Sequence, residues 1–149
     1  MSPKKFDDVT RRLAESAAAR TDGDGTTANL LTVRQQIDAI ARGELEGALA
    51  CAHPEIELEI FAPPEFPWIR RAVGVEALTA AIRQNFSSID DQRPTIHNVI
   101  TEHDLVVLFG EERGVIRETG AAYHMQFVHR FTFVGGRLKS IRIVAAKAA

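Results

Sequence analysis

The stretch Ala121-Ala-Tyr-His-Met-Gln-Phe-Val-His-Arg-Phe-Thr-Phe-Val134 decides the fold, because two classes of residue alternate along it. Alternation with a period of two places successive side chains on opposite faces of a β-strand. One face is largely aromatic and consists of Tyr123, Met125, Phe127, His129, Phe131 and Phe133. The other face is mainly polar and includes His124, Gln126, Arg130 and Thr132. The stretch therefore predicts a long strand that has one face in a hydrophobic core.

Turn-forming residues on both sides of this strand divide the C-terminal half of the chain into further strands. The turns are predicted at residues 102–104, at Thr119-Gly120 and at Gly135-Gly136. They separate strands near residues 95–101, 105–118, 121–134 and 137–144, which together predict an antiparallel meander.

The N-terminal half is predicted to be mostly helical. A stripe at helical spacing ends at Gly43, and a second short helix follows before Pro54. Residues 55–60 alternate glutamate with aliphatic residues and predict one strand, and a proline-rich loop then leads to a third helix that starts near Gly74. Helices followed by a sheet indicate the α+β class.

Residues 1–27 are predicted to form an extension outside this domain. Phe6, Val9 and Leu13 lie at helical spacing, whereas residues 21–27 contain no apolar residue and are rich in turn formers. We therefore divide the chain into a helical extension with its linker, residues 1–27, and one domain, residues 28–149. Removal of residues 1–22 is expected to leave the rest folded.

The composition argues against several classes of partner. Eighteen Lys and Arg face 20 Asp and Glu, with a formal charge of -2 and no basic stripe, so we expect neither nucleic acid nor a membrane surface as a partner. No apolar run approaches the roughly 18 residues of a spanning helix. The first residues also lack the apolar segment of a secretory signal, and a cytoplasmic location is expected.

No metal or cofactor site is predicted. The five histidines are scattered along the chain, and His124 and His129 lie on opposite faces of the predicted strand, so no zinc ligand set is expected. Cys51 is the single cysteine and is interpreted as a small core residue. We expect the protein to work without a cofactor.

Four segments carry a family resemblance: Ala41-Arg-Gly-Glu-Leu-Glu-Gly-Ala-Leu49, His53-Pro-Glu-Ile-Glu-Leu-Glu59, Gly74-Val-Glu-Ala-Leu78, and Phe127-Val-His-Arg-Phe-Thr-Phe-Val-Gly-Gly-Arg-Leu138. With the order of the elements, they resemble the nuclear transport factor 2-like superfamily, especially its SnoaL-like and ketosteroid-isomerase-like branch. The resemblance covers about residues 28–144. It implies a cone-shaped α+β barrel, in which a curved antiparallel sheet wraps three helices around an apolar pocket, commonly in a dimer.

The resemblance transfers few catalytic groups. The position of the aspartate base of ketosteroid isomerases falls on Ile60, which cannot move a proton. Their oxyanion-binding tyrosine falls on Gln36, whose amide can still donate a hydrogen bond. Their second oxyanion acid has its nearest counterpart at His129, in the region where SnoaL-like cyclases have an acid or base. The resemblance therefore argues against steroid isomerisation and leaves His129 as the candidate acid or base.

His129 is also the catalytic candidate from the residues themselves, because it is the only group on the aromatic face that titrates near neutrality. A buried neutral imidazole can act as a base or donate a hydrogen bond to a developing enolate. The alternative, which we favour because no partner carboxylate is apparent, is a core histidine satisfied by a carbonyl or water. Asp38 is a further candidate that would reach the pocket only if its helix were slightly rotated.

Five residues are predicted to contact a bound molecule: Ile60, Phe61, Trp68, Tyr123 and Phe127. Phe61 and Trp68 are expected to line or cover the pocket mouth, with simple loop packing as the alternative. Tyr123 can offer a hydroxyl, but it lies about 20 Å along the strand from His129, so a packing role is preferred.

The sequence thus predicts a protein that holds a small apolar or aromatic molecule, and two functions stay open. The first is a cofactor-free isomerase, cyclase or lyase that uses His129 as acid or base and Gln36 as a polar helper. The second is a non-catalytic binding or assembly protein, which Ile60 and the lack of a predicted buried carboxylate favour. A homodimer through the outer sheet face is expected, because residues 105–109 are apolar on both faces.

Overall fold

A computed structural model describes residues 6–18 and 26–148 of the chain. The helices in these residues are α1 (Asp7–Ala18), α2 (Thr26–Ala41), α3 (Leu45–Ala48) and α4 (Val75–Ser87). The strands are β1 (Glu57–Phe61), β2 (Arg71–Val73), β3 (Ile89–Glu102), β4 (Leu105–Ile116), β5 (Ala121–Val134) and β6 (Arg137–Lys147). None of the described helices has the length and apolarity that a bilayer crossing requires.

The six strands form one sheet in the order β2-β1-β6-β5-β4-β3. All neighbours pair antiparallel except β1 and β6, which run parallel with Glu57 opposite Ser140. The predicted antiparallel meander is thus extended by one parallel pair, whose direction the sequence analysis did not address. Tight hairpins impose an antiparallel direction on β3 to β6, whereas β1 and β6 are separated by about half of the chain and can pair in either direction.

Register irregularities bend the sheet. They occur in β3 between Asp90 and Arg93 and between Ile96 and Asn98, and in β6, where Lys139 is the extra residue opposite Thr132 and Phe133. Extra residues of this kind increase the local twist and bend the strand that contains them. The inner face of the curved sheet packs against the helices in a single hydrophobic core, which includes Leu30, Val33, Leu78, Phe127 and Phe131.

The largest departures from the predicted strands are at β3 and β2. β3 begins at Ile89 instead of residue 95 and continues through Pro94, which a strand tolerates here because β3 lies at the sheet edge. β2, with only three residues, was not predicted, because so short a segment shows no alternation.

Helix α1 packs on the body of the domain, in contrast to the separate extension that the sequence predicted. Phe6, Val9 and Leu13 are buried in the common core. The carboxylate of Asp8 accepts a hydrogen bond of 3.1 Å from the backbone N–H of Ile96, and Arg12 donates one of 2.7 Å to the carbonyl of His97. In the predicted linker, residues 21–25 lie outside the described residues, whereas Thr26 already belongs to α2.

Candidate functional site

Two adjoining lobes of interior space lie between the helices and the inner face of the sheet. Their volumes are about 120 and 140 Å³, and a cavity of about 150 Å³ is known to hold one benzene ring. We call the lobe lined by Trp68 the outer lobe and the lobe lined by Gln36 the inner lobe. Their shared walls are Leu58, Ile82, Phe86, Gln92, Glu112, Phe127, His129 and Ile143.

Few polar side chains reach this space. Gln36 lines the inner lobe, Asn85 the outer lobe, and Gln92, Glu112 and His129 line both. The other lining residues are aliphatic or aromatic, apart from one proline. A mainly apolar cavity with a few convergent polar groups is typical of a small-molecule site.

His129 lies on the inner face of β5, between Leu108 of β4 and Ile143 of β6. Its ring centroid is 4.6 Å from that of Phe127 and 6.3 Å from that of Phe131. Among residues 6–18 and 26–148, no group forms a hydrogen bond or ion pair with the ring. Burial lowers the pKa of His129 to about 4. At neutral pH the imidazole is therefore uncharged, with one N–H donor and one acceptor nitrogen available on the cavity wall.

The other two predicted catalytic residues, both on α2, are placed differently. Gln36 is buried and forms part of the inner-lobe wall, which His129 also lines. Asp38 lies on the helix flank, where its carboxylate is 4.0 Å from Nε of Arg34 and lines neither lobe. The structure therefore brings Gln36 and His129 to one cavity and leaves Asp38 outside it.

Three of the five predicted ligand-contacting residues, Ile60, Trp68 and Phe127, line the outer lobe. Phe61 does not, because it lies on the opposite face of β1 with 48% of its surface exposed. The guanidinium of Arg142 lies 5.5 Å from its ring centroid. Tyr123 lines neither lobe, although its hydroxyl reaches a residue that lines both.

The loop that carries Trp68 is held by one arginine. The guanidinium of Arg70 donates hydrogen bonds to the carbonyls of Ala62, Pro63 and Phe66, at 2.6, 2.9 and 3.1 Å. The ring of Phe66 then packs between Trp68, at 4.5 Å, and Tyr123, at 4.9 Å. These contacts fix the wall of the outer lobe.

Glu112 is the site residue that the sequence analysis missed. Its side chain is in the wall of both lobes, and the residue is only 7% exposed. One carboxylate oxygen accepts a hydrogen bond of 2.7 Å from the hydroxyl of Tyr123, and the other accepts one of 3.0 Å from Nε2 of Gln92. Burial and the Glu112 carboxylate raise the pKa of Tyr123, so its hydroxyl remains a donor. The expectation that no carboxylate is buried is wrong.

Two glycines on β4 make room for this arrangement. A Cβ on Gly114 would lie 2.6 Å from the hydroxyl oxygen of Tyr123, and one on Gly110 would lie 2.8 Å from the ring of Phe127. The two rings therefore lie against β4 on either side of Glu112. The signal was present in the sequence, since strand alternation puts Glu112 on the same face as the apolar Val106 and Leu108.

Metal ligands do not gather anywhere in the part of the chain that the structure describes. Within it, the His, Cys, Asp and Glu side chains form no group of three or more that could hold a metal ion.

A family model for the SnoaL-like domain matches residues 33–141. The chain belongs to the SnoaL-like family. The matched residues begin within α2 and end within β6, so they include most of the cavity wall and leave α1 outside. No curated protein matches this SnoaL-like chain significantly.

Several solved structures are similar to this SnoaL-like chain. An NTF2-like protein from Burkholderia xenovorans LB400 is 24% identical, with 83% of this chain and 93% of the other covered and a TM-score of 0.69. A protein from Jannaschia sp. CCS1 described as a SnoaL-like polyketide cyclase is 17% identical, with coverage of 85% and 91% and a TM-score of 0.67. An LEH-like epoxide hydrolase from M. tuberculosis is 14% identical, with coverage of 81% and 84% and a TM-score of 0.60.

These similarities establish the fold of the SnoaL-like chain. The curved, unclosed six-stranded sheet with few helices is the NTF2-like cone. The α+β class and the family resemblance predicted from the sequence are confirmed.

Proposed function

We propose that this SnoaL-like protein binds a small aromatic or apolar molecule in the two-lobed cavity and acts on it as a cofactor-free isomerase, cyclase or lyase. The observation that carries the proposal is the His129 imidazole, which is neutral, half-buried on the cavity wall and without a protein hydrogen-bond partner among the described residues. If a bound molecule covered this ring without a hydrogen bond, the loss of hydration would cost roughly 1 to 3 kcal/mol. A ligand group that hydrogen-bonds to the ring would offset that cost.

The lowered pKa of His129 determines which role it takes. An imidazole with a pKa of about 4 is a weak base at neutral pH, but its N–H remains a good donor to an oxygen on which negative charge develops. His129 is therefore assigned to polarise a ligand carbonyl, and the Gln36 amide in the same lobe is a second donor. Two similar structures are described as a polyketide cyclase and an epoxide hydrolase, which supports chemistry on small organic molecules.

A second candidate function is ligand binding without turnover. Ile60 favours it, because this aliphatic side chain lines the outer lobe at the position where the resemblance places the isomerase base. A binding protein needs the apolar cavity and its hydrogen-bond donors but no group that removes a proton.

The variant His129→Phe tests the role of the imidazole. Acetophenone and its apolar analogue α-methylstyrene have nearly the same shape, and only acetophenone accepts a hydrogen bond. We expect the variant to lose about tenfold in affinity for acetophenone relative to α-methylstyrene, because one hydrogen bond is lost. Titration calorimetry measures both affinities, and a substrate screen tests whether any turnover disappears with the substitution.

The matched control is His124→Phe, the same substitution on the opposite face of β5. This control should leave both affinities unchanged. An equal loss of affinity for the two ligands in a folded His129→Phe protein would show that the imidazole does not hydrogen-bond to the ligand. The proposal would then be reduced to an apolar cavity. Retained turnover in that variant would contradict a catalytic role.

The proposal includes a homodimer through the outer face of the sheet. Phe109, Val128, Val144 and Phe61 lie opposite one another on β4, β5, β6 and β1, so they form a continuous apolar row across four strands. Phe109, Val144 and Phe61 are 37%, 47% and 48% exposed. A second copy of the same face would cover this row, as in the two-fold dimers that are most common among homo-oligomers.

We expect Val144→Lys to convert the dimer into a monomer, because the substitution puts a charge in the middle of the apolar row. Sedimentation velocity at micromolar concentration measures the change. Val134→Lys is the matched control, since Val134 is also exposed but lies about 20 Å along β5 from Val128. A monomeric unsubstituted protein, or a dimer that withstands Val144→Lys, would contradict this interface.

A further inference from the structure

We propose that the Glu112 end of the cavity is a subsite for a hydrogen-bond donor, an O–H or N–H group carried by the aromatic ligand. This inference rests on the proposed function, since both require that the cavity admit a ring. It adds the polarity that the ligand must have at the end remote from His129.

The first observation is the position of a fixed carboxylate. Glu112 lies in the wall of both lobes, and its carboxylate accepts hydrogen bonds from Tyr123 and Gln92. In an apolar cavity the field of a carboxylate is weakly screened, so it attracts ligand groups with a positive hydrogen and repels lone pairs.

The second observation is a buried hydrogen-bond acceptor, the side-chain oxygen of Gln92, that receives no hydrogen bond. Gln92 lines both lobes and donates from Nε2 to Glu112, whereas its Oε1 is buried and has no hydrogen-bond partner. The carboxylate fixes the orientation of the amide, because a reversed amide would point its oxygen at Glu112. A buried acceptor in this state favours any ligand donor that can reach it.

The third observation is the direction of the donors around the outer lobe. The Tyr123 hydroxyl donates to Glu112, Nε1 of Trp68 donates to the hydroxyl of Ser88, and Nδ2 of Asn85 donates to the carbonyl of Ile69. These donors are directed at protein acceptors, so the groups left for a ligand at this end are mainly acceptors.

The two polar ends are far enough apart to bind opposite ends of one ring. Glu112 lies opposite Met125 on β5, four residues from His129, which is about 13 Å along the strand. Both side chains extend into the cavity, and Phe127 lies between their positions on β5. The ligand class that fits is an aromatic carbonyl compound with a hydroxyl or amino group at its far end.

The experiment compares phenol, aniline, anisole and toluene by titration calorimetry on the full chain at neutral pH. Phenol and aniline carry a donor, whereas anisole and toluene do not. The readout is the ratio of phenol affinity to toluene affinity, compared between the protein and each variant, because the hydration of the free ligands then cancels. We expect this ratio to fall about fivefold or more in Glu112→Gln and in Gln92→Leu.

Two control variants carry the same changes on the outer face of the sheet. Glu111→Gln and Gln126→Leu alter exposed or half-buried side chains next to the inner-face positions and should leave the ratio unchanged. Thermal unfolding monitors whether each variant is folded. If Gln92→Leu and Glu112→Gln do not fold, the Gln92 side-chain amide resonance of the unsubstituted protein provides the readout. That resonance should shift further with phenol and aniline than with toluene, which contributes only the ring current of its aromatic ring.

The outcomes separate this inference from the proposed function. Binding of toluene with phenol ratios and aniline ratios that are both equal in the protein and its variants, or a preference for anisole over phenol, overturns the donor subsite alone. Failure of every ring compound to bind overturns both the subsite and the cavity as a ligand site. A fall in the aniline ratio without a fall in the phenol ratio restricts the subsite to N–H donors and supports it.

Discussion

Deletion of residues 1–22 is expected to unfold the protein instead of leaving a trimmed domain. The deletion removes Phe6, Val9 and Leu13, which are buried in the common core, and Leu13 has 0% of its surface exposed. Burying each such side chain contributes roughly 1.5 to 3 kcal/mol, or about 5 to 9 kcal/mol for the three. A domain of ordinary stability has a free energy of unfolding of about 5 to 15 kcal/mol. Urea unfolding followed by circular dichroism measures the loss.

A single substitution tests the same contact with less disturbance. Leu13→Ala should lower the free energy of unfolding by about 3 kcal/mol or more, because a fully buried leucine leaves a cavity. Glu15→Ala on the same helix is the control, since Glu15 is exposed and its ion pair with Arg11 contributes little. A truncated protein with an unchanged melting temperature would show that α1 is dispensable.

Acidification is expected to destabilise the protein through His129. Its pKa is about 4 in the folded protein, compared with 6.5 for an unperturbed histidine. Between these values the unfolded chain binds a proton that the folded protein does not, so protonation favours unfolding. Above about pH 6.5 the ring is neutral in both states and does not lower the free energy of unfolding. As the pH falls to about 4, protonation of the unfolded chain lowers that free energy by about 3 kcal/mol. Urea unfolding at a series of pH values measures the slope.

Other groups titrate over the same range, so the test is the difference between proteins. His129→Phe and His129→Gln both lack the titrating ring, and their stability should depend on pH less steeply than that of the unsubstituted protein. If the difference between the proteins is constant from pH 7 to about pH 4, the pKa of His129 is the same in the folded and unfolded protein, which would contradict the lowered pKa.

The parts of the fold that follow from local pattern could be predicted from the sequence. β5 has the predicted bounds, 121–134, because its alternation and its flanking turns are both local signals. The parallel direction of β1 beside β6 and the docking of α1 against β3 could not be predicted. Both depend on contacts between distant residues, which no local pattern records.

The candidate site shows the same limit. Strand alternation placed His129 on the inner face, and the resemblance pointed to Gln36, which lines the inner lobe beside it. The prediction that Phe61 lines the cavity is wrong because Phe61 directly follows Ile60, and adjacent residues of a strand face opposite sides of the sheet. Glu112 was missed, although its alternation with Leu108 on β4 indicated burial.

The Gly114–Tyr123 contact links the size of the cavity to its chemistry for any attempt at redesign. A side chain at position 114 would occupy the space that the Tyr123 ring now fills. A smaller residue at position 123 would make room for it but would remove the hydroxyl that holds the Glu112 carboxylate. Positions 114 and 123 must therefore be substituted together. A redesign of the wall beside Glu112 must supply a new hydrogen-bond donor for that carboxylate at the same time.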